Sequence, residues 1–247
     1  MSTYATSFDP LQIIKDLVQN GYAIVDNVLS NQEDLRVLSA EAAHASAPEA
    51  QLLTKTEQSA DIRRDLTHDV DPLDDEKLPC LAKASRTLQF TLGGAVDLFL
   101  PQPLYCRERP QFASYASSGF YTRHFDNPRL LGGSDNLRRL TILLYLNEGQ
   151  WDDANGGQLR LHVKNNDKYD VTIAPQSNRA VVFFSDLIEH EVLPCFTHRV
   201  ALTVWLSELL PDPASGLANT IHRNDQLMRD FFVQCCQKVS HQSKQHT

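Results

Sequence analysis

The sequence has no long apolar run. Its densest stretch, Ala180-Val181-Val182-Phe183-Phe184, is far short of the ~20 residues that a membrane-spanning helix needs. The opening, Met1-Ser2-Thr3-Tyr4, lacks a basic region followed by an apolar one, so no export signal is read there. An excess of positive charge is lacking as well: 23 Lys+Arg stand against 31 Asp+Glu, a net charge of −8. Nucleic-acid binding rests on a basic footprint, so no nucleic-acid partner is expected. Cysteines are few and odd in number, five, at 80, 106, 195, 235 and 236, and no CxxC zinc spacing occurs. Without an export signal they read as reduced thiols of a cytosolic or nuclear protein. The Cys235-Cys236 pair reads as helix surface or core. There is no GxGxxG, no GxxxxGK(S/T) and no GxSxG. These absences remove the familiar forms of dinucleotide binding, phosphate-loop hydrolysis and nucleophile-elbow chemistry.

What is present is the composition of a folded chain: 42% hydrophobic and 22% charged residues, with no repeat and no low-complexity tract. Asp9 can cap a helix with Pro10 at its first position and Gln12 at the capping-box position. Leu11, Ile14, Leu17 and Val18 form its apolar face and Gly21 ends it. Tyr22 to Leu29 reads as a strand, and Ser30 with Glu33 as a capping box opening a helix to about His44. Residues 46–80 look irregular. Their acidic run, Asp69, Asp71, Asp74, Asp75 and Glu76, reads as a solvated loop, because Pro72 intrudes where a calcium loop needs a glycine. A helix over 81–98 follows, whose Gly93-Gly94 pair marks close packing. From Leu104 short β-rich runs recur, at 104–108, 111–115, 120–125, 139–146, 157–163, 170–174, 179–184 and 197–206. Such a series predicts a sandwich or jelly roll. A closing helix is expected over about 218–238. The whole reads as one α+β domain over 1–247: helical support in 1–103, a β core in 104–206, and a C-terminal helix and tail in 207–247.

One constellation carries chemistry. In Tyr121-Thr122-Arg123-His124-Phe125-Asp126, His124 and Asp126 are two apart in a strand pattern and so share a face. His190 offers a third ligand. Two histidines and a carboxylate make the facial triad of non-haem Fe(II) oxygenases, which leaves positions for a bidentate 2-oxo acid and for O2. Zinc can use the same three ligands. Arg199, in the strand through Trp205, argues for a bound carboxylate, since its planar fork meets one bidentately. A hydrolytic zinc site has no special need of it. His198 is expected to point away from the site, and His162 to pack across strands.

With these residues in hand, the chain resembles the 2-oxoglutarate- and Fe(II)-dependent prolyl 4-hydroxylases of the cytosolic, oxygen-sensing kind. Their animal members act on hypoxia-inducible factor, and their protist and bacterial relatives on other proteins. Tyr121-Thr-Arg-His-Phe-Asp-Asn-Pro128 is similar to the family's YxRHxDNP. Tyr145-Leu146-Asn147 with Trp151-Asp152 is similar to its YLN…WD, and Gly156-Gly157-Gln158-Leu159-Arg160 to its GGxLR. His190-Glu191-Val192, Arg199 and Thr203-Val204-Trp205 complete the set. The resemblance implies a double-stranded β-helix and iron held by His124, Asp126 and His190. It implies a 2-oxoglutarate carboxylate on Arg199 and Tyr145, with Tyr115, Leu143, Leu159, Thr203 and Trp205 lining the pocket. O2 is consumed, succinate and CO2 are released, and ascorbate keeps the iron ferrous. The partner is a protein bearing a target proline, met by a monomer. Ile62-Arg63-Arg64-Asp65 looks like part of the family's mobile loop over the site. Two departures stand out: Tyr115-Ala-Ser-Ser-Gly119 replaces a Pro-Gly turn, and an insertion around 130–135 lengthens the loop after Asn127-Pro128. Two other readings stay open, a hydroxylase of a small molecule such as a free amino acid and a catalytically silent β-helix that binds.

Overall fold

The computed structural model describes residues 2–208 except 74, 75, 98, 101–103 and 164–169. The expected helix over 218–238 and the Cys235-Cys236 pair lie outside the described residues. Strand β12 (Arg199–Glu208) shows how the fold is built. Val200, Leu202, Val204 and Leu206 enter the main apolar core, while Arg199, Ala201, Thr203 and Trp205 line a cavity. Alternate residues of a strand face opposite ways, so one strand is both core and site wall.

Around β12 an eight-stranded antiparallel sheet assembles. Its order is β1 (Tyr22–Val25), β10 (Ala180–Phe184), β7 (Arg138–Tyr145), β12, β5 (Gln111–Tyr115), β3 (Leu66–Asp69) and β2 (Thr54–Lys55), with β4 (Leu104–Tyr105) also paired to β12. The second sheet runs β6 (Tyr121–His124), β11 (Glu189–Val192), β8 (Leu159–His162) and β9 (Val171–Ile173). Leu143, Val181, Phe183 and Ala201 of the first sheet pack on Leu159, Leu161 and Ile173 of the second. The other face of the large sheet meets α1 (Pro10–Asn20), α2 (Gln32–Ser46) and α3 (Pro79–Thr87) through Ile14, Leu17, Leu38 and Leu81. This is the expected double-stranded β-helix on a helical support.

Local chemistry explains the helix ends. Asp9 accepts from Leu11 N, and Gly21 at φ 82° closes α1 with its N–H on Leu17 O. Gln12 does not complete a capping box; its amide reaches forward to Asp16. The cap of α2 is Asn31, not Ser30: its side chain accepts from Glu33 N and Asp34 N, and Glu33 turns to Arg36 instead. The first strand ends at Val25, short of Leu29, and the chain turns at Asn27 with φ 55°. The helix expected from Leu81 begins at Pro79 and widens into a π-helical stretch over Leu88–Gly93 before α4 (Gly94–Asp97). Gly93 does mark close packing, since a Cβ there would lie 2.6 Å from Leu206 Cδ1.

Residues 46–80 are more ordered than their composition suggests. β3 pairs with β5 and so extends the large sheet. Just before it the same segment joins the small sheet's edge: Arg64 N donates to Phe120 O and Thr122 N to Ile62 O, both at 2.8 Å. The strap 62–69 thus hydrogen-bonds to both sheets. Of the acidic run, Asp69 is in β3 and Asp71 pairs with Arg109. Among the described residues no helix is long and apolar enough to cross a membrane.

Candidate metal centre

His124 and His190 face each other across β6 and β11, which pair at these two residues. Their ring centroids are 4.3 Å apart. Asp126 sits just past the end of β6, in a bend rather than in the strand expected there. Its Oδ1 is 3.7 Å from His124 Nε2 and its Oδ2 3.9 Å from His190 Nε2. The three residues offer ligand atoms within 4.8 Å of one another, in the one such cluster found among the described residues.

Each imidazole is held in one tautomer by its own strand. His124 Nδ1 lies 2.7 Å from Thr122 O and His190 Nδ1 3.2 Å from Ile188 O. A carbonyl only accepts, so Nδ1–H must donate, and Nε2 is the ring atom that faces Asp126. Burial, reinforced by His124, pushes the His190 pKa down to about 4, so this ring is neutral and ready to bind a cation at neutral pH. Burial alone would raise the Asp126 carboxyl. The adjacent imidazoles and the Thr141 hydroxyl outweigh it and hold the carboxyl well below the usual range. Two imidazoles and a carboxylate on one face suit Fe(II).

The carboxylate is itself gripped. Asp126 Oδ2 accepts from Thr141 Oγ1 at 2.7 Å and from Trp205 Nε1 at 3.0 Å, and Thr141 Oγ1 also meets Ser185 Oγ at 2.9 Å. Trp205, expected as pocket lining, is therefore also an orienting group. Thr141 was not singled out from the sequence. The signal was there, because the alternation that turns Leu143 into the cavity turns Thr141 in with it. Arg138 was also missed, for a different reason. A bulge between Leu206 and Ser207 shifts the β7–β12 register, pairing Ser207 with Arg138. This puts Arg138 on the Trp205 side, its guanidinium 4.0 Å from the indole centroid.

Beside the triad a cavity of about 210 Å³ is lined by Tyr115, Leu143, Leu159, Arg199, Thr203 and Trp205, all six of them expected there. Arg199 is 1% exposed. Its Nε donates to Gly157 O at 2.8 Å, and its guanidinium lies 4.8 Å over Tyr115 and 5.1 Å over Tyr145. Among the described residues no carboxylate pairs with it. The buried Tyr145 hydroxyl has no hydrogen-bond partner of ordinary geometry. A buried cation in the cavity wall, with an orphaned hydroxyl on the ring beside it, fits a carboxylate-bearing cosubstrate; Tyr145 itself is not among the residues that line the cavity.

The loop motif also reaches the site. Arg63 pairs with Asp65, meets Gln111 Oε1 at 3.3 Å and lies 4.3 Å over the Tyr121 ring. That ring stacks on His124 at 3.8 Å. Arg64, by contrast, turns outward onto Phe120. His198 is exposed and meets Ser114 Oγ at 2.8 Å, away from the metal cluster. His162 is no ligand either: its ring nitrogens lie 2.9 Å from Asp170 and 3.3 Å from Glu191.

Residues 110–207 match the model of the 2OG-Fe(II) oxygenase superfamily, a class whose facial triad the His124–Asp126–His190 cluster resembles. Within that class the likeness is to prolyl hydroxylases. The chain is 40% identical over 102 residues to the hypoxia-inducible factor prolyl hydroxylase of Caenorhabditis elegans, and 36% over 102 to human Egl nine homolog 1. These matches cover 40% of this chain but only 13% and 22% of those proteins. Among solved structures, a Pseudomonas putida prolyl-4-hydroxylase is 29% identical with a TM-score of 0.65, covering 81% of this chain and 99% of its own. A Trichoplax adhaerens prolyl hydroxylase in complex with a hypoxia-inducible factor peptide is 22% identical with a TM-score of 0.67, covering 81% and 89%, and shares the fold. The resemblance read from the motifs is borne out.

Proposed function

We propose that the chain hydroxylates a prolyl residue at C4 in a protein substrate, using O2 and 2-oxoglutarate and releasing succinate and CO2. The observation that carries this reading is the buried Arg199, a cation with no carboxylate partner among the described residues, facing the same cavity as the His124–Asp126–His190 cluster. When bound, Fe(II) and 2-oxoglutarate supply the oxidation of an unactivated C–H bond, which no side chain can perform. The chain's own residues bind and orient. His124, Asp126 and His190 would hold the iron, with Thr141 and Trp205 fixing the carboxylate. Arg199 and Tyr145 would anchor the far carboxylate of 2-oxoglutarate, with Leu143 and Leu159 against its carbon stem. Thr203 and Tyr115 complete the wall. The strap 62–69, with Arg63 and Asp65, would order the protein substrate. Ascorbate would keep the iron reduced between turnovers.

The relatives support a protein substrate, since the Trichoplax enzyme is seen with a peptide. The test is mass spectrometry of prolines in a cell lysate incubated with the protein, Fe(II), 2-oxoglutarate and ascorbate, with succinate release followed in parallel. Prolines that gain one oxygen, and fail to do so with Asp126→Ala or His190→Ala, support the reading. Succinate release with no modified proline would sink it.

A further inference from the structure

A second cavity, of about 560 Å³, adjoins the first, and Gln58 and Arg63 line both. One side is the segment 55–66. The other includes the turn Ala116-Ser117-Ser118-Gly119, where the sequence departs from the family's Pro-Gly turn. Its charges are uneven. Lys55 and Arg64 are exposed, line the cavity and have no carboxylate partner among the described residues. Asp65, the carboxylate of its lining, is buried and held by Arg63. Thr56, Ser117 and Ser118 add hydroxyls to its lining. On a chain of net charge −8, this is a hollow with two exposed cations on a largely apolar wall, directly beside the metal cavity.

We propose that this hollow is a substrate subsite, which receives acidic residues flanking the target proline. The proposal rests on the prolyl hydroxylase reading and deepens it. A polypeptide with its proline at the metal cavity passes Arg63 and meets Lys55 and Arg64. Aspartate or glutamate side chains there find two cations whose charge is not already neutralised, and hydroxyl donors for the remaining oxygens. The chain's net charge of −8 repels acidic side chains in general, so the hollow selects by sign as well as by position.

The experiment uses two synthetic peptides, identical except that one has aspartates flanking a single proline where the other has asparagines. Affinity is measured by calorimetry with Mn(II) and 2-oxoglutarate without oxygen, and turnover by mass spectrometry. The aspartate peptide should bind about three- to tenfold tighter at low salt, as expected for two exposed ion pairs. The advantage should shrink as salt screens the charges. Lys55→Glu and Arg64→Glu should each reduce the preference, and together abolish it. Titration of 2-oxoglutarate on the same variants shows that the cosubstrate wall is intact. Equal affinity for the two peptides, no binding of either, or an unchanged preference in the double variant overturns the subsite. A charge preference that the variants erase, with no oxygen gained by proline, keeps the subsite and removes the hydroxylase reading. Hydroxylation of both peptides alike does the reverse.

Discussion

The two imidazoles and Asp126 are held by groups that leave their ligand atoms little freedom, and this has measurable consequences at single residues. Thr141→Val removes one of the two donors to Asp126 Oδ2. A hydrogen bond to a charged group contributes about 1.5–3 kcal/mol, so Mn(II) affinity should fall by about tenfold or more, read by calorimetry without cosubstrate. An unchanged Kd would make the contact incidental. Arg199→Ala should weaken 2-oxoglutarate by about 10- to 150-fold on the same grounds. Arg199→Lys, which keeps charge and loses the fork, should fall between it and wild type. Anaerobic titration with Mn(II) orders the three. His190 has a pH consequence in the metal-free protein. Its folded pKa of about 4 lies below the ordinary 6.5, so the folded form binds fewer protons between those values. Stability is therefore full above about pH 6.5 and lost as pH falls toward 4, by about 3 kcal/mol in all. Urea unfolding across that range should show the slope, and His190→Gln should flatten it.

At the scale of elements, the strands were legible and the segment before β4 was not. β5, β7, β10 and β12 alternate apolar core residues with cavity residues, or are apolar throughout, and both patterns stand out in a sequence. β2 and β3 are two and four residues long and carry Thr, Lys, His and Asp, so their pairing is decided by the neighbouring strand rather than by their own composition. Arg138 escaped detection because a bulge breaks the alternation on which such reading depends. The glycines of the Gly156-Gly157 motif show why that pattern was informative. Gly157 has φ 68°, and a Cβ there would lie 2.7 Å from Cys195 Sγ and 3.1 Å from Arg199 Cδ. Gly157→Ala should cost about 1–3 kcal/mol of stability and also loosen 2-oxoglutarate, because Arg199 leans on this backbone. Thermal melting and cosubstrate titration separate the two effects. A stable variant with wild-type affinity would show that the backbone can yield.

At the scale of the molecule, the strap 62–69 ties the two sheets together beside the metal cavity. The Arg63–Asp65 pair sets its course, with Arg63 lying over Tyr121. Replacing both residues, by Arg63→Ala and Asp65→Ala, should impair turnover of a protein substrate more than affinity for 2-oxoglutarate. Equal loss of both would make the segment purely structural.

Strand β12 serves core and cavity at once, so the cavity wall cannot form after the interior has closed, nor persist once it opens. Val200, Leu202 and Val204 stay buried only while Arg199, Thr203 and Trp205 face the cavity. The amide hydrogens of β12, bonded to β5 and β7 on its two sides, should then exchange with deuterium only through opening of the whole domain. Adding metal and cosubstrate should slow that exchange by raising the free energy of global opening, in proportion to ligand concentration over Kd, and not by ordering a strand that was loose before.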